Sequence, residues 1–108
     1  MAEIKITKEN FKKEVLESDI PVLLDFWATW CAPCLMLSPE IEETAKEYEG
    51  KIKVGKINVD EENEIASAFQ VSSIPLIVVM NKGKIKKTAV GYRKKPEIEE
   101  LFINEISL

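Results

Sequence analysis

Two cysteines, Cys31 and Cys34, are separated by two residues in a chain of 108 residues that contains no histidine. Cysteines at this spacing can form a disulfide with each other, exchange disulfides with other molecules, or supply two ligands to a metal ion. They follow a nearly continuous apolar run, Pro21–Ala28, and begin a helical pattern. The chemistry of this chain is therefore expected at the junction between a strand and a helix.

A helix that begins at Cys31 gives the two cysteines different roles. The first turn of a helix presents unpaired backbone N–H groups and the positive end of the helix dipole, which stabilise a thiolate. Cys34 lies one turn further in, beneath Cys31, where it can form a disulfide but is shielded from outside disulfides. This predicts that Cys31 attacks a disulfide and that Cys34 resolves the mixed disulfide.

Two other interpretations of the cysteine pair are weaker. A structural zinc site takes four ligands, and with no histidine and no third cysteine the remaining ligands would be carboxylates or a second chain. A structural disulfide that closes so short a loop removes little entropy from the unfolded chain. Redox exchange is the favoured interpretation, and no metal is expected.

Asp25 interrupts the apolar run on the strand face that it shares with Leu23 and Trp27. It is either turned into the interior or solvated at an irregular edge. Burial raises the pKa of a carboxyl group because it disfavours the charged form. In a chain without histidine, a buried Asp25 is the candidate proton acceptor for Cys34. Lys56 is a candidate to pair with it.

Alternating strands and helices fill the first two thirds of the chain. Alternating or continuous apolar residues predict three strands, Ile4–Ile6, Pro21–Ala28 and Ile52–Val59. A helix follows each strand: one with Phe11, Val15 and Leu16 on one face, one from Cys31 to near Gly50, and one with Asp60 as N-cap and Ile65, Ala66 and Phe69 on its apolar face. Such alternation requires parallel crossover connections.

The last third has a different pattern. An apolar strand, Leu76–Met80, and a second strand, Lys84–Val90, are separated only by Asn81-Lys82-Gly83, which predicts an antiparallel hairpin. A helix beginning at Pro96 follows, with an apolar stripe of Ile98, Leu101, Phe102 and Ile106. The predicted order is βαβαβαββα, an α/β fold with a mixed sheet and helices on both faces.

Composition excludes several classes of protein. Hydrophobic residues make up 45% and charged residues 31%, the balance of a folded globular domain. The 15 basic and 19 acidic residues are scattered along the chain and form no basic stripe, so no nucleic acid is expected as a partner. The apolar run that contains Asp25 is too short to cross a membrane.

The segment around the cysteines resembles a known family. Residues 26–34, Phe-Trp-Ala-Thr-Trp-Cys-Ala-Pro-Cys, are similar to the active-site segment of the thioredoxin family, whose usual form is Trp-Cys-Gly-Pro-Cys. Ser73-Ile74-Pro75 resembles the cis-proline loop of that family. The match covers essentially the whole chain, with further family positions in the expected order: Asp25, Pro39, Lys56, Gly83 and Gly91.

The resemblance implies a fold and an activity. The fold is the thioredoxin fold, a mixed five-stranded sheet flanked by four helices, formed here as a single domain over residues 1–108. The activity is thiol-disulfide exchange that reduces protein disulfides, maintains the redox state of the cytosol and supplies electrons to reductive enzymes. The implied partners are disulfide-containing proteins and a thioredoxin reductase. A monomer without bound cofactor is expected.

The resemblance also implies a substrate-binding surface. A cis bond between Ile74 and Pro75, next to Cys31, would expose the Ile74 backbone for hydrogen bonds to an extended substrate. Trp30 is expected to form a wall of the site, and Gly91 is a further substrate-binding position.

Ala32 and Pro33 lie between the cysteines and are expected to tune the redox potential. Ala32 stands where the family usually has glycine, and because alanine is the better helix former a modest shift is expected. Leu35 replaces a common lysine and so removes a charge near the thiols. Trp27 and Lys56 are candidates for supporting roles.

Two alternatives remain beside the reductase. An oxidase or isomerase of the same fold commonly has histidine between the cysteines, and none occurs here. A noncatalytic interaction module using the same fold is the other, and retention of both cysteines is an argument against it. The N-terminal residues lack the pattern of a secretory signal, which favours the cytoplasm, although a processed secreted form would have the same sequence.

Overall fold

A five-stranded mixed sheet forms the centre of the computed structural model, which describes residues 3–106. The strands are β1 (Glu3–Lys5), β2 (Val22–Trp27), β3 (Lys53–Asn58), β4 (Leu76–Asn81) and β5 (Lys84–Val90), in the spatial order β1-β3-β2-β4-β5. β1 and β2 pair parallel to β3, β4 pairs antiparallel to β2, and β5 pairs antiparallel to β4. The predicted mixed sheet is confirmed.

Helices connect the strands in the predicted order. They are a short π-helix (Lys12–Leu16), α1 (Ala32–Glu47), α2 (Asn63–Ala68) and α3 (Lys95–Phe102), which continues into a 3₁₀ turn (Ile103–Glu105). α1 ends with Tyr48 as its C-cap, slightly before Gly50. None of the helices within residues 3–106 has the length and apolarity needed to cross a membrane.

The two faces of the sheet carry separate apolar clusters because successive side chains of a strand point to opposite faces. One cluster joins α1 and α3 to the sheet and contains Leu23, Leu37, Ile41, Ala45, Ile52, Val54, Ile77, Val79, Ala89, Ile98 and Phe102. The other joins the π-helix and α2 to the opposite face and contains Ile6, Val15, Val22, Leu24, Phe26, Ile57, Ile65, Leu76, Val78 and Met80. Asp25 falls on the face covered by α1.

Leu16 corrects one expectation, since it does not belong to a buried face of the first helix. Val15 is buried, but Leu16 is 43% exposed. The helix is of the π type, and its last backbone bond runs from the Glu17 N–H to the Lys12 carbonyl, 2.9 Å. This wider turn does not keep the spacing of an α-helix, on which the sequence pattern depended.

The hairpin between β4 and β5 turns through Lys82 and Gly83, whose φ angles are 54° and 76°. Positive φ at both positions is the geometry of a type I′ turn, which suits the twist of a two-residue hairpin. Glycine adopts such a conformation without strain. The register shifts between Val79 and Met80, so β5 is bulged. The predicted turn is confirmed, with Asn81 as the last residue of β4.

Gly55 is a position where the packing of the sheet excludes any side chain. A Cβ atom there would lie 2.6 Å from Cγ1 of Ile6 and 3.1 Å from Cδ2 of Leu24, and both residues are buried. We expect Gly55→Ala to lower the free energy of unfolding by about 1–3 kcal/mol, the usual cost of overpacking a core. Urea unfolding of the oxidised proteins measures this. The exposed Ser67→Ala in α2 is the control and should change stability by less than about 0.5 kcal/mol. Equal stability of Gly55→Ala and the parent would contradict the packing argument.

Candidate functional site

The two cysteines lie where β2 gives way to α1. Cys31 is the N-cap of α1, and the bridge to Cys34 joins residues whose Cα atoms are 5.2 Å apart. Both residues are buried in this disulfide form, Cys31 with 4% and Cys34 with 1% of its surface exposed. Ala32 and Pro33 occupy the exposed first turn of α1. Proline is tolerated there because the first N–H groups of a helix have no partner within the helix.

The start of α1 directs a backbone donor at the sulfur of Cys31. The Cys34 N–H donates a hydrogen bond to Cys31 Sγ at 3.2 Å. The Cys31 carbonyl accepts from the Leu35 N–H at 3.1 Å, which closes the first turn. The predicted position of Cys31 at the helix start, with Cys34 one turn further in, is therefore the observed one.

The loop before β4 lies against the cysteines. The peptide bond between Ile74 and Pro75 is cis, as the resemblance predicts. The side chain of Ile74 packs on the small cluster of Ala28, Cys31 and Cys34. At the end of β5 the Gly91 N–H donates to the Pro75 carbonyl at 2.8 Å, and Gly91 has a φ of 99°. Ile74 is thus brought against the disulfide, and Gly91 is bonded to the next residue of the same loop, Pro75.

Trp30 is exposed beside the disulfide but is held in place. Its side chain is 69% exposed, and its indole Nε1 donates a hydrogen bond to Asp60 Oδ2 at 2.7 Å. This corrects the expectation for Asp60, which is not a helix cap: α2 begins at Asn63, with Glu62 in the N-cap position. Sequence analysis missed the contact. The signal was that Trp30 and Asp60 both follow the carboxyl ends of neighbouring parallel strands, which meet at one edge of the sheet.

Asp25 is fully buried on the face of β2 that α1 covers. Neither of its carboxylate oxygens accepts a hydrogen bond from a residue between 3 and 106. Burial raises the pKa of Asp25 from its ordinary value of 3.8 to about 6, and the nearby Lys56 ammonium only partly opposes this. A carboxyl group with this pKa can exchange a proton near neutral pH.

Lys56 connects Asp25 to α1. It lies opposite Asp25 in the pairing of β2 with β3, and its Nζ is 3.6 Å from Asp25 Oδ2. The same Nζ donates a hydrogen bond to Ser38 Oγ at 3.2 Å and lies 4.9 Å from the ring centre of Trp27. Ser38 follows Cys34 by one helical turn, so Asp25 and α1 contact one ammonium group from two sides. Ser38 is a second member of the site that sequence analysis missed.

A cleft of about 310 Å³ opens beside this group, with Glu3, Trp27, Thr29 and Lys56 among its lining residues. Glu3 Oε2 is buried and has no hydrogen-bond partner within residues 3–106. Burial raises the pKa of Glu3, and Lys56 opposes this. Among the same described residues, no three side chains of His, Cys, Asp or Glu type are grouped as metal ligands.

This arrangement defines a class of protein. A cysteine pair closes a disulfide across the first turn of a helix, a backbone N–H is aimed at the outer sulfur, and a buried carboxyl group of raised pKa lies under the same helix. A thiolate at such a helix start is stabilised for attack on a disulfide. The fold and the site are those of a small thiol-disulfide oxidoreductase.

Comparisons with known proteins name the family. A family model described as Thioredoxin matches residues 2–104. The thioredoxin of Rickettsia bellii is 48% identical over 101 residues, which are 94% of this chain and 96% of that protein. The thioredoxin of Rickettsia felis is 52% identical over 83% of this chain and 86% of its own length. Thioredoxin 1 of a Nostoc species is 44% identical over 92% of each chain. The chain belongs to the thioredoxin family.

Membership of that family establishes the activity. The protein is a thiol-disulfide oxidoreductase that reduces protein disulfides, and Cys31 and Cys34 form its redox-active disulfide. Proteins named thioredoxin match more than nine tenths of this chain. This favours the reductase over a noncatalytic module with the same fold.

Proposed function

We propose that Cys31 is the nucleophile, that Cys34 is the resolving cysteine, and that Asp25 accepts the proton of Cys34. The observation that carries the first two roles is the hydrogen bond from the Cys34 N–H to Cys31 Sγ at the helix start. In the reduced protein the same donor stabilises a thiolate on Cys31. Cys34 lies one turn inside α1, with 1% of its surface exposed, so it is positioned for Cys31 rather than for an outside disulfide.

The reaction has two exchange steps. The Cys31 thiolate attacks one sulfur of the substrate disulfide, forms a mixed disulfide, and releases the other sulfur as a thiolate that takes a proton from water. Cys34 then gives its proton to Asp25 and attacks Cys31 Sγ. This breaks the mixed disulfide and releases the second substrate thiolate, which takes a proton from water, while Asp25 returns the proton of Cys34 to solvent. The substrate gains two electrons and two protons, and Cys31 and Cys34 become the disulfide.

Substrate binding is proposed for the surface around Cys31. Trp30 is fixed by Asp60, and Leu35 is 51% exposed on the first turns of α1, so the surface offers apolar contacts. Ile74 and Pro75 border the cysteines from the other side, where the Ile74 backbone can pair with an extended substrate segment. Gly91, bonded to Pro75, leaves room beside that segment. Disulfides in exposed, extended segments of proteins fit this surface best.

The residues around the disulfide are proposed to set its reduction potential. Ala32 and Pro33 form the exposed first turn between the cysteines, where they affect the relative stability of the disulfide and dithiol forms. Trp27 packs on the cysteine cluster and, with Lys56, supports Asp25 from the side.

A thioredoxin reductase is the proposed source of electrons, because each turnover leaves Cys31 and Cys34 oxidised and the dithiol must be restored. The cytoplasm is the proposed location, since a reducing compartment maintains the dithiol form that the reaction needs. We propose that the protein acts as a monomer.

Asp25→Asn tests the role of Asp25, because asparagine keeps the size of the side chain but cannot accept the proton. Reduced protein mixed with Ellman's reagent releases one thionitrobenzoate when Cys31 attacks and a second when Cys34 resolves the mixed disulfide. We expect the second phase at pH 7 to slow at least about tenfold, since general base catalysis contributes roughly 10²–10⁴-fold. The first phase should remain within about twofold, as the Cys31 thiolate needs no base.

The exposed Asp19→Asn is the matched control, because it is the same substitution at a solvent-exposed position outside β2. It should leave both phases unchanged. If Asp25→Asn resolves its mixed disulfide as fast as the parent between pH 6 and 8, Asp25 is not the proton acceptor.

A further inference from the structure

Within residues 3–106, the Lys56 ammonium has three neighbours, and its shortest polar contact is with Ser38. It donates to Ser38 Oγ at 3.2 Å, whereas Asp25 Oδ2 forms a longer ion pair with it at 3.6 Å. The ring of Trp27 covers another side, 4.9 Å away. With 18% of its side chain exposed, Lys56 is largely enclosed by these groups.

The preference for Ser38 is unexpected from chemistry alone. A carboxylate is a stronger acceptor for an ammonium group than a hydroxyl is. Both oxygens of Asp25 also lack a hydrogen-bond donor throughout the described part of the chain. The shorter contact of the ammonium is nevertheless with the hydroxyl on α1.

We propose that Ser38 is a positioning residue, whose hydroxyl holds Lys56 against α1 and so sets the separation between the Lys56 ammonium and the Asp25 carboxyl group. This inference rests on the proposed role of Asp25 as proton acceptor. Ser38 touches neither the substrate nor the reacting sulfurs in this scheme. It acts through Lys56 on the proton affinity of Asp25.

Other charges also act on Asp25. Lys56 lowers the pKa of Asp25, whereas Glu3 of β1 raises it. Glu3 is in turn influenced by Glu42 and Lys46 of α1. Of these charges, the Lys56 ammonium is the one that is hydrogen-bonded to Ser38. Without the hydroxyl, its nearest acceptor is the Asp25 carboxylate, and a shorter separation of opposite charges favours the ionised acid.

Ser38→Ala should therefore make Asp25 a stronger acid. We expect the midpoint of its titration, followed by carbon NMR of the carboxyl group in the oxidised protein, to fall by at least about half a pH unit, a threefold change in its ionisation constant. Ser38→Thr keeps a hydroxyl at this position and should restore the parent midpoint. Ser67→Ala is the control for an exposed serine far from the site and should not move the midpoint. An unchanged or raised midpoint in Ser38→Ala would overturn the proposal.

Kinetics separate this inference from the role of Asp25 itself. The rate of the second phase with Ellman's reagent should show the same downward shift of its pH profile in Ser38→Ala. It should show no effect of Ser38→Ala when Asp25→Asn is already present. If the NMR midpoint falls but the rate profile stays, the positioning by Ser38 stands and the proton-acceptor role of Asp25 is wrong. If the midpoint stays while Asp25→Asn slows the second phase, Asp25 is the proton acceptor and the positioning by Ser38 is wrong.

Discussion

Cys31→Ser should abolish the reduction of insulin disulfides with dithiothreitol as the electron source. A serine hydroxyl at the start of α1 cannot form the mixed disulfide, and Cys34, with 1% of its surface exposed, cannot take over the attack. We expect the catalysed rate to fall at least about 10³-fold, to the rate of dithiothreitol alone, because the covalent route is lost. A residual rate near that of the parent would show that Cys31 is not the nucleophile.

Cys34→Ser should have a different effect, which separates the two roles. Attack by Cys31 remains, but the mixed disulfide is not resolved, so partner proteins should accumulate as covalent adducts. Nonreducing gels and mass spectrometry of the adducts measure this. Cys31→Ser is the matched control, with the same substitution three residues away, and should trap few partners or none. In the reduced parent, iodoacetamide should alkylate Cys31 first. Comparable trapping by both variants would mean that the two roles are wrongly assigned.

The sheet and the cysteine pair could be predicted because their signals are local. The run Pro21–Ala28 is apolar on both faces, as a central strand is, and the observed β2 (Val22–Trp27) is buried along almost all of its length. The helical pattern after Cys31 predicts which residues of α1 are buried, and Cys34, Leu37, Ile41 and Ala45 are among them. A strand that ends just before a helix begins places the cysteines at the helix start without any knowledge of the rest of the fold.

Contacts between distant side chains could not be predicted in the same way. Trp30 and Asp60 are 30 residues apart, and Ser38 and Lys56 are 18 residues apart. Each residue alone resembles an ordinary polar position: Asp60 is a good helix cap, and Ser38 is one more small residue in a helix. Only the pairing of β2 with β3, and the packing of α1 on that face, brings each to its partner.

The burial of Asp25 could be predicted only in part. The pattern of β2 restricted it to the interior or an irregular edge, and the structure places it in the interior, fully buried under α1. What the pattern did not show is how poorly the carboxyl group is compensated. An ammonium at 3.6 Å without a hydrogen bond offsets only part of the cost of burying a carboxylate. That cost has a consequence for stability as well as for proton transfer.

The stability of the protein should fall as the pH rises through the titration of Asp25. The unfolded chain releases this proton near pH 3.8, whereas the folded protein holds it until about pH 6. Between these values the folded state binds more protons than the unfolded state, so the free energy of unfolding decreases with rising pH. Above pH 6 the loss is complete and amounts to roughly 3 kcal/mol, since each pKa unit corresponds to about 1.4 kcal/mol. Asp25→Asn lacks this titration and should gain stability relative to the parent by the same amount between pH 3.5 and pH 8.

Urea unfolding of both oxidised proteins across this pH range measures the difference. The buried amide of Asp25→Asn adds a contribution that does not depend on pH, so the informative quantity is the change of the difference with pH. Asp19→Asn is the matched control, because Asp19 is exposed and its substitution should give a difference that is nearly constant with pH. If the difference between Asp25→Asn and the parent is also constant from pH 4 to pH 8, burial does not raise the pKa of Asp25, and its carboxyl group is not a proton acceptor with a pKa near neutral pH.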